Sequence, residues 1–120
     1  MIVILEKPAT DKDIKRAAED YETYIKITID IKKEIVAIGG EYHADAEIKL
    51  LNLGSRQEDI WGGGLSLKSK ILETNALINL RIGVNGAMEI VNSKIRDKFL
   101  SIAEKYLGDH TFSAKNNNKR

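Results

Sequence analysis

The chain has 120 residues, of which 42% are hydrophobic and 31% charged, and its formal net charge at pH 7 is +1. This length and balance are those of one globular domain, and the near-neutral charge does not indicate nucleic acid, a membrane surface or an acidic partner. The absence of cysteine excludes disulfides and thiolate chemistry, and no apolar run approaches the roughly 20 residues of a membrane span. We therefore expect a cytoplasmic protein.

A short strand followed by a helix is predicted at the start of the chain. Residues 2–5 are apolar and precede Pro8, which closes the strand. Thr10 and Asp13 have the spacing of a slightly shortened capping box, so a helix should begin here. Its apolar stripe ends near Glu22.

The clearest strand is predicted over residues 24–31, where apolar and polar residues alternate. A polar connection leads to a second, continuously apolar strand over residues 35–38. Gly39 and Gly40 end it, because the backbone there needs dihedrals or close approaches that a Cβ would forbid. The alternating apolar row consists of Ile25, Ile27, Ile29 and Ile31.

A second helix is predicted over residues 44–53, with Gly54 in the position of a left-handed cap. Ala44, Ile48 and Leu51 share one face of this helix, which should face the core. Residues 60–67 then predict a strand that three consecutive glycines loosen. Such a run marks a bulge, an edge or a place where another chain comes close.

After a loop over residues 68–75, residues 76–84 predict a second alternating strand, and Asn85-Gly86 predicts a turn. A long helical stripe follows, which begins at Asn92 or Ser93 and stops at Gly108. Residues 113–120 have no apolar periodicity and predict a disordered tail. The row of the second alternating strand consists of Ile78, Leu80, Ile82 and Val84.

The predicted order of elements is β-α-β-β-α-β-β-α in a single domain over residues 1–112. Strands joined in hairpin pairs with interspersed helices favour an α+β fold with a mainly antiparallel sheet of four to five strands. We expect the three helices to cover one face of that sheet. The pattern leaves the placement of the first strand open.

The densest group of ionisable side chains is Glu41, His43, Asp45 and Glu47. Glu41, His43 and Asp45 are candidate catalytic groups and candidate ligands for a divalent metal, since imidazole and carboxylate suit such ions. The alternative is helix-start chemistry, in which acidic residues complement the helix dipole. A helix also places Asp45 and Glu47 about 200° apart, which argues against four joint ligands.

A second polar group consists of Asp30, Asn79 and Arg81, which would converge if their strands were neighbours. An Asp–Arg pair across strands is more often only a solvated ion pair. Trp61, the only tryptophan, is either a stacking platform or an anchor in the core or an interface. With Gln57, these residues are candidate binding residues.

The strings VAIGGEYHADAE, GSRQEDIWG and INLR, in this order, resemble a family of small prokaryotic proteins catalogued only as a domain of unknown function. The resemblance covers about residues 1–107, and it implies a common fold unit and site location but no reaction. Ile82 stands where the resemblance would place a proline. The residues that match the family pattern are Gly39, Gly40, Glu41, His43, Asp45, Gln57, Trp61, Gly62, Asn79 and Arg81.

Two functional hypotheses follow from the sequence. The first is a cytosolic binding or assembly module, homodimeric through Trp61 and the glycine-rich strand. The second is a metal-dependent hydrolase or nuclease, in which Glu41, His43 and Asp45 serve as ligands or acid–base groups and Arg81 binds an anionic substrate. Near-neutral charge and the lack of a second usable histidine favour the first.

Overall fold

The computed structural model describes residues 1–111, so the predicted tail and the predicted domain end at residue 112 lie outside the described part. The fold is α+β with a five-stranded antiparallel sheet, as predicted. The order β-α-β-β-α-β-β-α is also present, although the fifth strand lies before the predicted residues 76–84. The elements are β1 Val3–Leu5, α1 Asp11–Ala17, β2 Tyr24–Asp30, β3 Ile35–Ile38, α2 His43–Asn52, β4 Ile60–Ser66, β5 Leu72–Glu73 and α3 Ser93–Leu107, with 3-10 turns at Gln57–Asp59, Leu77–Asn79 and Gly108–His110.

The sheet has the strand order β1-β3-β2-β4-β5, and all neighbours are antiparallel. β1 therefore lies at an edge beside β3, which answers the question that the sequence pattern left open. The glycine-rich β4 lies inside the sheet and pairs with β2 along its whole length, from Tyr24 opposite Ser66 to Asp30 opposite Ile60. On its other side, β5 pairs only with Gly64 and Leu65.

Helices cover both faces of the sheet, whereas the sequence pattern predicts helices on one face only. The isoleucines of β2 belong to the larger core cluster, together with residues of α1 and α3. α2 packs on the opposite face, where Ala46 and Leu50 form a smaller cluster with Ala37 and Ile60. Both faces of β2 and β3 are therefore buried, and the polar residues of β2 lie under α2.

The capping box of α1 is present as predicted. The Thr10 hydroxyl accepts a hydrogen bond from the Asp13 N–H at 3.2 Å, and the Asp13 carboxylate accepts one from the Thr10 N–H at 3.0 Å. The helix ends at Ala17, however, and not near Glu22. Asp20 lies beyond the helix and accepts the N–H of Gly40 at 3.1 Å, which ties this turn to the end of β3.

The buried face of α2 differs from the predicted one. His43, Ala46 and Leu50 face the sheet, whereas Ile48 is 55% exposed and Leu51 39% exposed. Both sets have helical spacing, and the two faces are about 100° apart around the helix axis. The His43 ring lies against β4, so the buried face of α2 carries its polar first residue together with Ala46 and Leu50.

The predicted strand over residues 76–84 is wrong. This stretch contains the 3-10 turn Leu77–Asn79 and one isolated bridge, Arg81 to Asn85. It belongs to a longer run, residues 74–91, which we call the irregular segment. Its apolar row is largely in solvent, with Leu80 52% exposed and Ile82 fully exposed. The predicted loop before it, in turn, contains the short strand β5.

Two buried asparagines explain why the irregular segment is not a strand. Side-chain amides that bond the backbone offer the chain an alternative to a strand ladder. The Asn85 amide group donates to the carbonyls of Asn79, Ala87 and Glu89 at 2.7–3.0 Å, and its oxygen accepts the Val91 N–H at 2.9 Å. The backbone therefore folds around these side chains.

The exposure of the two apolar rows predicts an inverted order of mutational effects. Ile29→Val removes one carbon from a fully buried side chain and should cost about 0.5–1.5 kcal/mol of unfolding free energy. Leu80→Ala removes three carbons from a half-exposed side chain and should stay within about 0.5 kcal/mol. Urea unfolding of both variants measures this, and a larger loss for Leu80→Ala would contradict the assignment of its surroundings.

Candidate functional site

Asn79 is fully buried and takes the place of a missing strand partner for β4. Its side-chain oxygen accepts the Gly62 N–H at 2.8 Å, and its amide nitrogen lies 2.9 Å from the Gly62 carbonyl oxygen. The same nitrogen also bonds the carbonyls of Met88 at 2.9 Å and Thr74 at 3.3 Å. One side chain thus satisfies both backbone groups of Gly62 and closes the irregular segment over β4.

Arg81 also bonds to β4, at Ile60, two residues before the Gly62 that Asn79 holds. Its guanidinium donates to the Ile60 carbonyl and, at 3.2 Å, to the Ile78 carbonyl, and it lies 4.4 Å from the centroid of the Trp61 ring. Burial lowers the pKa of Arg81, and the Glu47 carboxylate opposes that shift. The donors of Arg81 are thus occupied by backbone carbonyls, and one of these carbonyls, that of Ile60, belongs to β4.

His43, the first residue of α2, contacts β4 at Gly63. Its Nε2 lies 2.7 Å from the Gly63 carbonyl oxygen, so this nitrogen carries the hydrogen and donates it. Burial lowers the pKa of His43 below its usual 6.5, and the nearby Lys26 ammonium lowers it further, whereas the bond to Gly63 opposes both. The imidazole is therefore neutral at pH 7, and its Nδ1 is a hydrogen-bond acceptor.

The glycines of β4 allow these close approaches. A Cβ on Gly62 would lie 2.5 Å from the Ala76 side chain and 3.0 Å from the His43 ring. A Cβ on Gly63 would overlap the Glu73 carbonyl and lie 2.8 Å from Phe99 on the other face. The missing side chains thus let α2, α3 and the irregular segment reach the backbone of β4.

A cleft of about 320 Å³ opens between the start of α2 and the irregular segment. Its size lies at the lower end of the ~300–1,000 Å³ that is typical of small-molecule sites. His43 is 9% exposed and forms part of the wall. The lining residues are Lys26, Tyr42, His43, Ala44, Ala76, Leu77 and Ile78.

Of the predicted site residues, the structure brings His43 to this cleft but not Glu41 or Asp45. Both carboxylates are exposed at the start of α2, and neither lines the cleft. Within residues 1–111, no three histidine, aspartate or glutamate side chains are grouped in a way that could hold a metal ion. The three-ligand metal hypothesis thus has no geometric support in this part of the chain.

Asp30 and Gln57 lie apart from the cleft. The buried Asp30 carboxylate accepts the hydroxyl of Ser55 at 2.6 Å and the N–H groups of Lys32 and Lys33, which shapes the turn after β2. Gln57 is exposed on a 3-10 turn. Asp30 and Arg81 form no ion pair with each other in the described structure.

Trp61 is 2% exposed and belongs to the larger core cluster. Of the alternatives left open by the sequence, the structure therefore favours the core anchor, because a ring this deeply buried offers no surface to a base or a partner. Its indole N–H has no hydrogen-bond partner among residues 1–111.

The sequence pattern does not indicate that Lys26 or the apolar walls of the cleft belong to a site. Lys26 belongs to the polar row of β2, which appeared solvent-facing as long as all helices were placed on one face. The isoleucine row of β2 alone does not reveal that a helix also covers its polar side. A helix on that face would have placed Lys26 beside the start of α2.

Comparisons with known proteins give one match. No match was found among curated proteins or among solved structures. None of the helices within residues 1–111 is long and apolar enough to cross a membrane. The model of a family described as "Protein of unknown function (DUF5674)" matches residues 3–106, which include every residue of the motifs discussed above. The chain therefore belongs to this family.

Proposed function

We propose that the protein is a small cytoplasmic binding module that holds a small molecule in the cleft beside His43. The cleft has a volume at the lower end of small-molecule sites and largely apolar walls, and three of its lining residues, Lys26, Tyr42 and His43, carry polar side-chain atoms. The neighbouring backbone is fixed by Asn79 and Arg81, so the cleft is largely preformed. The absence of cysteine fits a reducing compartment.

The observation that carries this proposal is the state of the His43 ring. Its Nε2 is used by the Gly63 carbonyl, whereas its Nδ1 has no partner among the described residues. The buried side-chain atoms without a partner in residues 1–111 are Thr28 Oγ1 and Trp61 Nε1, so Nδ1 of His43 is reached by solvent. His43 lines the cleft, and a ligand there would supply a donor to Nδ1 in place of water.

The geometry favours binding over the metal-dependent hydrolase of the sequence analysis. That hypothesis needs Glu41 and Asp45 beside His43 and a free Arg81 for the substrate. The two carboxylates stand outside the cleft, and the Arg81 guanidinium is occupied by backbone carbonyls.

A fragment screen followed by amide chemical shifts tests the proposal. Small aromatic and aliphatic fragments should shift the amide signals of Lys26, His43 and Ala44 at millimolar concentrations. Ala44→Phe, which fills the cleft from an exposed position, should abolish these shifts, and Lys49→Phe on exposed α2 surface is the matched control. The proposal fails if no fragment shifts these signals in the folded wild type.

Self-association is a second candidate, favoured by a different observation. The irregular segment exposes Leu77, Leu80, Ile82 and Val84, each by half or more of its surface. Exposed apolar clusters of this kind mark contact surfaces more often than chance. We propose that this surface, and not Trp61, is where two copies of the chain would meet.

Sedimentation at increasing concentration tests the second candidate. If copies of the chain associate through the irregular segment, the Ile82→Ser, Val84→Ser double variant should lower the association constant at least tenfold. The double variant Lys12→Ser, Lys15→Ser on the exposed surface of α1 should leave it unchanged. A wild type that sediments as a monomer at high micromolar concentration would refute this candidate.

A further inference from the structure

We propose that the His43 cleft selects a carboxylate that carries a hydroxyl group on the adjacent carbon and an apolar body. This inference rests on the binding function proposed above and names the class of ligand. The residues that line the cleft provide a separate reason for the carboxylate, the hydroxyl group and the apolar body.

The positive charge in the cleft comes from Lys26. Lys26 lines the cleft, and its ammonium lies 4.0 Å from the centroid of the Tyr21 ring, an uncharged contact that leaves the positive charge in place. Within residues 1–111, Lys26 has no ion pair closer than 4.0 Å. Its charge acts on Asp20 over a longer distance, but that carboxylate is already engaged by the Gly40 N–H and the N-terminus. A ligand carboxylate would give Lys26 a direct partner.

The start of α2 adds to this preference for an anion. α2 has ten residues, and its N-cap, Tyr42, makes no side-chain hydrogen bond to the first turn. The backbone N–H groups there point out of the helix and attract negative charge. Ala44, in this first turn, lines the cleft. Asp45 also complements the dipole, but it is exposed and does not line the cleft.

His43 supplies the reason for the hydroxyl group. A neutral imidazole whose Nε2 donates to Gly63 presents a lone pair at Nδ1, and a carboxylate oxygen there would meet that lone pair without a hydrogen between them. A hydroxyl next to the carboxylate can donate to Nδ1 while the carboxylate faces Lys26. A plain carboxylate leaves Nδ1 without a donor.

The remaining wall is apolar and requires an apolar body on the ligand. Ala44, Ala76, Leu77 and Ile78 form it, and Leu77 is 70% exposed at the rim. A phenyl or branched alkyl group would cover these side chains and gain about 25 cal/mol for each Å² of apolar surface removed from water. Mandelate combines the three parts in one small probe.

Titrations with mandelate, phenylacetate and mandelamide test the inference, with the amide shifts of Lys26, His43 and Ala44 as the readout. Phenylacetate lacks the hydroxyl, and mandelamide lacks the charge. Each should bind about three- to tenfold more weakly than mandelate, the range expected for one lost hydrogen bond or charge contact. Lys26→Met should weaken mandelate by a similar factor and leave mandelamide unchanged, whereas Lys12→Met on α1 should change neither.

The outcomes separate this inference from the binding function itself. Equal affinity of mandelate and mandelamide, or of mandelate and phenylacetate, would overturn the ligand class while the cleft remains a binding site. Binding of neutral fragments without binding of mandelate would do the same. If neither fragments nor acids shift the cleft amides, the binding function and the ligand class fail together.

Discussion

Replacing Asn79 with alanine is expected to cost about 3–5 kcal/mol of unfolding free energy, measured by urea denaturation. The change leaves both backbone groups of Gly62 without the partner they have now, whereas the Met88 carbonyl loses one bond and still accepts the Ala76 N–H at 3.1 Å. Each buried group that loses its only partner costs about 1–3 kcal/mol, and water entering the space recovers part of it.

Two further variants define what the Asn79 result means. Asn79→Asp keeps the acceptor for the Gly62 N–H but sets a charge against carbonyl oxygens, so it should cost at least as much as alanine. Asn75→Ala, on the same segment but exposed, should change stability by less than about 0.5 kcal/mol. A loss below about 1 kcal/mol for Asn79→Ala would mean that the amide does not hold β4.

Trp61→Ala is expected to destabilise the protein by about 3–5 kcal/mol, because it empties a large volume in the main core. The change also removes the surface on which the Arg81 guanidinium lies. Trp61→Phe should cost clearly less, since it keeps most of the ring contacts and removes an indole N–H that has no hydrogen-bond partner in the described part of the chain. Urea unfolding followed by circular dichroism measures both variants.

Tyr42→Ala is the matched control for Trp61, because this aromatic ring is 59% exposed. It should leave the free energy of unfolding nearly unchanged.

Sedimentation separates the two roles of Trp61, core anchor and interface anchor, that the sequence left open. A Trp61→Ala variant that stays as stable as the wild type but dissociates into monomers would return Trp61 to an interface and contradict its place in the core.

The two alternating rows show how far the sequence pattern could go. The row of Ile25, Ile27, Ile29 and Ile31 predicts a strand with a buried face, and the first three residues confirm it, whereas Ile31 lies one residue beyond β2 and is half-buried. Residues 76–84 carry the same alternation and form no strand, because Asn79 and Asn85 direct their amides to the backbone. Periodicity records which residues are apolar, but it does not record where the intervening polar side chains find their partners.

The sequence indicates His43 as a site residue, but it does not indicate which face of α2 is buried. His43 stood out because ionisable side chains cluster after Gly39 and Gly40, both of which have positive φ, +89° and +93°. The orientation of α2 could not be read from the sequence, since Ala44, Ile48 and Leu51 are together more apolar than the face that is buried. The buried face instead packs Ala46 and Leu50 on the sheet and brings His43 to a strand twenty residues away along the chain. Lys26 enters the cleft only as a result of that orientation.

The hydrogen bonds between the Asn79 side chain and the backbone of Gly62 also affect amide hydrogen exchange. The Gly62 N–H is bonded to Asn79 and not to a strand, so its protection from exchange depends on the irregular segment remaining closed. Such segments open with a smaller free energy than the global unfolding reaction. The Gly62 amide should therefore exchange faster than the amides bonded between β2 and β4, although it lies in the middle of the sheet. In Asn79→Ala its exchange should accelerate first, which makes this single proton a reporter of transient opening at the wall of the cleft.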